Sequence, residues 1–341
     1  MNKNIIGSLI IFVMILSFLG YSLYQKIYGN SVAKNTNLYI YKKDSFEILQ
    51  QKIKPFVKDL DDFNWVANKK KFNTPKGGHY TLVKGMSNND LVNLLRIGAQ
   101  TPVQVSFNNQ NTLGAFVKRI STQIESDSIS LYKSFTDKNF LSKYNLTEKT
   151  VLQICIPNTY EFYWTTSPEK FRNKLFEYYN TFWNTNRKAK AKQLNLTQTE
   201  VITLASIVQK ETAKLKERPK VAGLYLNRLK KGWPLQADPT IIYVLKENKG
   251  PDFVVKRVLT KDLAIKSPYN TYLNVGLPPS LIAMADKSSI DAVLNAENHN
   301  YYYMCADVDH IGYHKFAKSL RQHNSNALQY RRWLNKNGIR R

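Results

Sequence analysis

With 341 residues the chain can hold one large domain or two smaller ones, and its 43% hydrophobic and 12% aromatic residues exclude a largely disordered protein. Its 50 Lys and Arg against 25 Asp and Glu give a formal net charge of +25, which suits an anionic partner or, more simply, a basic solvated surface. Nucleic acid is disfavoured, because the basic residues are spread along the whole chain and no zinc-finger spacing, basic zipper or RNA-binding signature occurs.

Residues 1–4 form a short tip before Ile5–Tyr24, an uncharged run of about twenty residues that can cross a bilayer as a helix. A cleaved signal peptide would have a shorter apolar region and a small-residue cleavage site, and Ser22-Leu23-Tyr24-Gln25 offers a poor one, so an uncleaved anchor is favoured. Lys3 before the run and Lys26 after it leave the positive-inside rule almost undecided. Residues 25–37 are polar and read as a juxtamembrane linker.

The pattern over 38–100 is strand, helix, helix, strand, helix. LYIYKK alternates as a strand does, SFEILQQKIKPFV and LDDFNWVANKKKF have helical spacing, TPKGG is a turn, and HYTLVKG is a second strand. SNNDLVNLLRIG follows as a helix capped by Ser87 and closed by Gly98. Beyond Thr101 come a strand, PVQVSF, and two helices ending by Ser142. QICIP, around Cys155, reads as a buried strand, and Ser167–Lys192 as one basic, aromatic-rich helix. Cys155 and Cys305 both lie in apolar runs, which suits one disulfide or two buried thiols. No Cys/His set has zinc spacing and the five histidines are scattered, so neither metal nor cofactor is expected.

The most informative stretch is Leu204–Tyr243. Thr197 and Glu200 have the spacing of a capping box, starting a helix on which Val201, Leu204, Val208 and Glu211 share a face. A carboxylic acid that continues a buried stripe is desolvated, which raises its pKa and keeps a proton available near neutrality, as a general acid requires. A solvated Glu at a helix end, or one paired with Lys210 or Lys214, is the plainer alternative. Pro219 suits the first turn of a second helix, which Gly232 closes. Asp238 before Pro239 reads as the N-cap of a third.

LASIVQKET, ERPKVAGLYLNRL, LQADPTIIY and SPYNTYLNVGLPP resemble, in order and spacing, the successive blocks of the endolytic murein transglycosylase (YceG-like) family. The Glu of KET is the catalytic acid there, so the resemblance and the stripe reach Glu211 independently. KGGHYTLVKGMSNNDLVNLLRIG resembles the block before the catalytic part, a LysM-like module. The implied fold is α+β: a transmembrane helix at 5–24, a LysM-like module at 38–100, and a catalytic domain at 101–330 with its core at 197–325. A basic tail, 331–341, follows and is expected to fray.

Within these blocks Asn227, Gln236, Asp238, Tyr269, Asn270, Thr271, Tyr272 and His314 are the candidate substrate contacts. Capping for Asp238 and a structural hydrogen bond for His314 are the simpler roles. Asn158 stands where the family usually has Asp, which removes a second acid there, and SLIAMAD departs from the family's Pro-rich loop. HIGYHKFAKSLRQHN resembles the closing strand pair and turn. The implied activity is cleavage of the MurNAc–GlcNAc β-1,4 bond in nascent peptidoglycan, leaving 1,6-anhydro-MurNAc ends. Implied partners are glycan strands, inner-membrane lipid and peptidoglycan synthases, with the catalytic domain on the periplasmic side. The rivals are a two-carboxylate muramidase pairing Glu211 with Asp238 or Glu217, a catalytically silent wall-binding anchor, and a nucleic-acid binder.

Overall fold

A computed structural model describes residues 3–255 and 257–337. The chain divides into two compact units.

The first unit comprises residues 1–105, 120–127 and 160–167. It begins with α1 (Lys3–Tyr28), in which Ile5–Tyr28 has a mean hydropathy of 2.3 and is long and apolar enough to cross a membrane. Then come β1 (Thr36–Ile40), α2 (Phe46–Ile53), α3 (Leu60–Lys69), β2 (Gly78–Leu82) and α4 (Asn88–Ile97). β1 and β2 run antiparallel with Leu38 opposite Tyr80. Leu38 and Ile40 alternate inward onto Leu49, Ile53, Phe63 and Leu91, all fully or nearly fully buried. Each such side chain contributes roughly 1.5–3 kcal/mol of burial. The helix starts follow from local chemistry: Ser45, Asp59 and Ser87 each accept a backbone N–H of the first turn. Gly98 closes α4 at φ 78°, where a side chain would be strained.

Residues 25–37 are built into this unit rather than free. α1 continues past Tyr24, and Asn88 Nδ2 donates to Lys26 O at 2.9 Å while Lys26 Nζ pairs with Asp62 at 2.8 Å. Downstream, the Ser31 and Val32 amides both donate to Met86 O at 3.0 Å.

β3 (Val103–Phe107) pairs with β4 (Asn158–Phe162), each strand being shared between the units. The second unit comprises residues 106–119, 128–159 and 168–341. Its helices are α5 (Leu113–Ser121), α6 (Ser128–Phe135), α7 (Lys138–Lys143), α8 (Pro168–Phe182), α9 (Thr185–Gln193), α10 (Gln198–Glu211), α11 (Arg218–Lys230), α12 (Asp238–Lys249) and α13 (Lys287–Leu294). An antiparallel pair, β5 (Tyr303–Ala306) and β6 (His314–Ala317), and a final helix α14 (Leu320–Lys336) complete it. α10 is the central element. Val201–Val208 are buried without interruption, and α11, α12 and α13 pack around it.

Several expectations are corrected. The helix expected over Ser167–Lys192 is two, because Asn184 caps a new one by accepting from Arg187 N at 3.0 Å, just after the buried Trp183. Cys155 follows a 3-10 turn, Val151–Ile154, instead of lying in a strand, and both cysteines are free thiols. Three helices, not two, precede Ser142 or end beside it. α14 was not expected from the sequence, although Ser319 and Gln322 have the spacing of a helix start and Ser319 caps it; it runs into the expected tail, of which residues 338–341 lie outside the described residues.

Gly223 marks close packing on α11. A Cβ there would lie 2.3 Å from Glu297 O and 2.9 Å from His299 Nε2. Gly223→Ala is therefore expected to cost about 1–3 kcal/mol, read as a lower urea midpoint with an unchanged slope.

Candidate active site

Glu211 is the last residue of α10 and opens into a cavity of about 240 Å³ within the second unit. The walls come from five places: Glu211 itself, Tyr225 and Arg228 of α11, the loop at Leu235–Gln236 with Asp238, Tyr272, and Met304–Ala306 with His314 from the strand pair. Glu211 Oε2 is shut off from solvent and has no hydrogen-bond partner among the described residues. Burial pushes the Glu211 carboxyl up to about 7. His314 pulls it down, Asp238 pushes it further up, and Tyr225 and Arg228 pull it down in turn. Burial wins.

His314 is held by Glu217. The His314 N–H donates to Glu217 Oε1 at 2.6 Å, and its Nδ1 lies 3.0 Å from Glu217 Oε2. Burial opposes the charged imidazole, but the Glu217 hydrogen bond and charge, with Glu211 behind them, raise its pKa. Glu217 itself is 5% exposed; burial would raise its pKa, and the hydrogen bonds from His314 and Thr212 outweigh that and lower it.

On the opposite wall, α12 starts one residue earlier than an Asp238 N-cap requires. Ala237 is the cap, and Asp238 is the first helical residue. Its carboxylate is thus released from capping and accepts from the Tyr272 hydroxyl at 2.6 Å. Gln236 sits at φ 50° and accepts a 3.3 Å hydrogen bond from the Arg228 guanidinium.

The structure thus brings together Glu211, Gln236, Asp238, Tyr272 and His314. The other four candidates lie outside the cavity wall and use their polar groups within the fold. Asn227 Nδ2 donates to His299 O and Tyr301 O at 2.7 and 3.1 Å. The Tyr269 hydroxyl pairs with Ser280 at 2.6 Å, and Asn270 Nδ2 donates to Leu263 O and Ile265 O. Thr271 Oγ1 accepts from Ala237 N at 3.0 Å, fixing the turn that carries Gln236 and Asp238. Among the described residues no group of three or more His, Cys, Asp or Glu side chains is placed to hold a metal ion.

Residues 38–329 match the profile of the YceG-like family. The chain belongs to the YceG-like family. Two relatives named endolytic murein transglycosylase are similar to it. That of Bacillus subtilis (strain 168) is 32% identical over 274 residues, covering 75% of this chain and 73% of the relative. That of Streptococcus pneumoniae (strain D39) is 27% identical over 307 residues, covering 79% of this chain and 53% of the relative, so the chain spans about half the pneumococcal protein. A solved yceG-like protein from Listeria monocytogenes shares the fold at a TM-score of 0.57 and 24% identity, over 86% of this chain and 98% of that one.

In this YceG-like chain, Tyr225 and Arg228 are wall residues that the sequence reading passed over. Their spacing of three on α11 was the available signal, since it puts a phenol and a guanidinium on one helix face. Burial, and then the neighbouring Glu211, raise the Tyr225 pKa well above its ordinary value, so it remains a hydrogen-bond donor.

Proposed function

We infer that the chain is a membrane-anchored peptidoglycan lytic transglycosylase that cuts within glycan strands. The observation that carries this reading is Glu211: a carboxyl poised near 7, with one buried and unpartnered oxygen, in a polar cavity. A group at that pKa is about half protonated at neutral pH and can both give and take a proton. Glu211 first protonates the oxygen leaving C1 of MurNAc. As a carboxylate it then takes the proton from the C6 hydroxyl of the same sugar, which closes the 1,6-anhydro ring. The substrate supplies its own nucleophile, so no second carboxylate is needed, unlike in ordinary glycosidases.

His314 and Arg228 offset the negative charge on Glu211 once its proton has left. Asp238, Gln236 and Tyr272 offer a carboxylate, an amide and a phenol for sugar hydroxyls. The family relationship supports peptidoglycan as the substrate. α1 serves as the anchor in the inner membrane, with the second unit on the outer, periplasmic side. The βααβ unit is read as a LysM-like glycan-binding module, supported by its element order and antiparallel strand pair. An enzyme that terminates growing strands works beside the peptidoglycan synthases that extend them.

A two-carboxylate hydrolase using Glu217 is disfavoured by the engagement of both Glu217 oxygens with His314. The test is a digest of uncrosslinked strands with the full chain in detergent, the products being identified by mass. Anhydro-ended fragments are expected from the wild type. Reducing ends would favour a hydrolase with Asp238 as the second acid, and no cleavage would favour a wall-binding anchor.

A further inference from the structure

A second cavity in the same unit backs onto the first. Glu211 and Asp238 face the smaller cavity, and their chain neighbours Lys210 and Pro239 line the larger one. The end of α10 and the start of α12 thus contribute to the walls of both. The larger holds about 520 Å³, within the ~300–1,000 Å³ typical of small-ligand sites. Its floor is apolar, with Leu113, Leu152, Leu281 and Ile282 all under a tenth exposed. Its wall carries three ammonium groups, Lys149, Lys210 and Lys246, of which the last two lie on the helices that bear Glu211 and Asp238.

These two lysines lack the partners such groups usually have. Lys210 Nζ donates to the neutral Asn111 Oδ1 at 2.8 Å. Among the described residues neither Lys210 nor Lys246 forms an ion pair. The lining has two carboxylates against three ammonium groups; Glu247 accepts from the Tyr243 hydroxyl at 2.8 Å and Glu148, like Lys210, is exposed. Packing around the ammonium end of Lys210, then the like charge of Lys246, lower the Lys210 pKa. An incoming anion relieves that repulsion, and the floor suits small apolar groups between the anions.

We propose that this second cavity binds the acidic stem peptide carried by the MurNAc whose bond is cut. The proposal rests on the transglycosylase reading above and names what that site selects. In peptidoglycan the peptide hangs from O3 of MurNAc, on the same ring as the scissile C1. A sugar seated against Glu211 must direct its peptide out of the small cavity. A chain rising ~3.3 Å per residue passes the end of one helix within a few residues. Its alanine methyls meet the floor, and its carboxylates meet Lys210 and Lys246.

The test uses the full chain in detergent on uncrosslinked strands, either intact or stripped of their peptides by an amidase. The wild type is expected to prefer intact strands in kcat/KM, and Lys246→Glu to reduce that preference by about tenfold. In parallel, free stem peptide is titrated into Glu211→Gln protein, and Lys246→Glu is expected to weaken its binding by a similar factor. Cleavage of both strands with no preference, or a preference that Lys246→Glu leaves intact, would overturn the proposal while sparing the transglycosylase reading. If neither strand is cut, the transglycosylase reading fails and the titration decides: peptide binding sensitive to Lys246→Glu upholds the cavity, and its absence removes it. Displacement of the peptide by an isoprenyl phosphate at lower concentration would overturn the proposal in favour of a lipid ligand.

Discussion

Glu211→Gln is expected to slow strand cleavage by about 10²–10⁴-fold, the usual contribution of a positioned general acid. Glutamine keeps the shape and a hydrogen-bonding end but has no acidic proton to transfer. For the wild type, kcat/KM is expected to fall as pH rises above about 7, where the acid form of Glu211 is lost. The same substitution should stabilise the protein. A Glu whose folded-state pKa is raised gives stability that is complete below the unfolded value of 4.5 and is lost as pH rises through about 7. At pH 8 the wild type thus carries a penalty of about 3 kcal/mol that glutamine removes. Thermal midpoints should be equal near pH 4 and higher for Glu211→Gln at pH 8. A Glu with a purely structural role would show the opposite pattern, losing stability on substitution at alkaline pH.

Arg228→Met is expected to cost about 3–5 kcal/mol of stability and to reduce activity with it. Arg228 is 7% exposed and its guanidinium ties together two segments distant from one another in the chain. Nε donates to Tyr302 O at 2.7 Å, and one terminal nitrogen donates to Leu235 O at 2.7 Å and to Gln236 Oε1 at 3.3 Å. Methionine fills similar space but leaves these acceptors unpaired away from water, which is the expensive outcome. Arg228→Lys should rescue little, since one ammonium cannot reproduce a planar fork aimed at two carbonyls. Denaturant unfolding measures the stability change. A KM that rises along with the loss in kcat would show that Gln236 and the strand pair have shifted away from the substrate.

What was legible in the sequence was local. The capping box at Thr197–Glu200 and the caps Ser87 and Gly98 depend on side chains a few residues from the backbone they satisfy, so spacing alone locates them. Glu211 was reached by a stripe of apolar residues, yet α10 is buried all round from Val201 to Val208, so no single face distinguishes it. What desolvates the carboxyl is the arrival of Tyr225, Arg228 and His314 from other segments, which periodicity cannot report. Asp238 was read as a cap because proline is tolerated at either of the first two helical positions, and a slip of one residue turned a cap into a cavity wall. Tyr269, Asn270 and Thr271 carry the right chemistry for sugar, but a sequence does not say which way a turn residue faces. Here they face the chain itself. The break at Trp183–Asn184 was missed for a related reason: an asparagine mid-pattern is a cap only if the chain turns there.

α1 runs without a break from its apolar span into the first unit, where Lys26 is clasped by Asp62 and Asn88. A flexible joint at that point would let the first unit swivel freely over the bilayer. A continuous helix acts instead as a rigid lever. Helices in bilayers tilt by ~20° on average, and by more when the hydrocarbon is thinner than their apolar length. With α1 in a bilayer, such a tilt would be passed on to the βααβ unit, so that membrane thickness would set the angle between that unit and the bilayer.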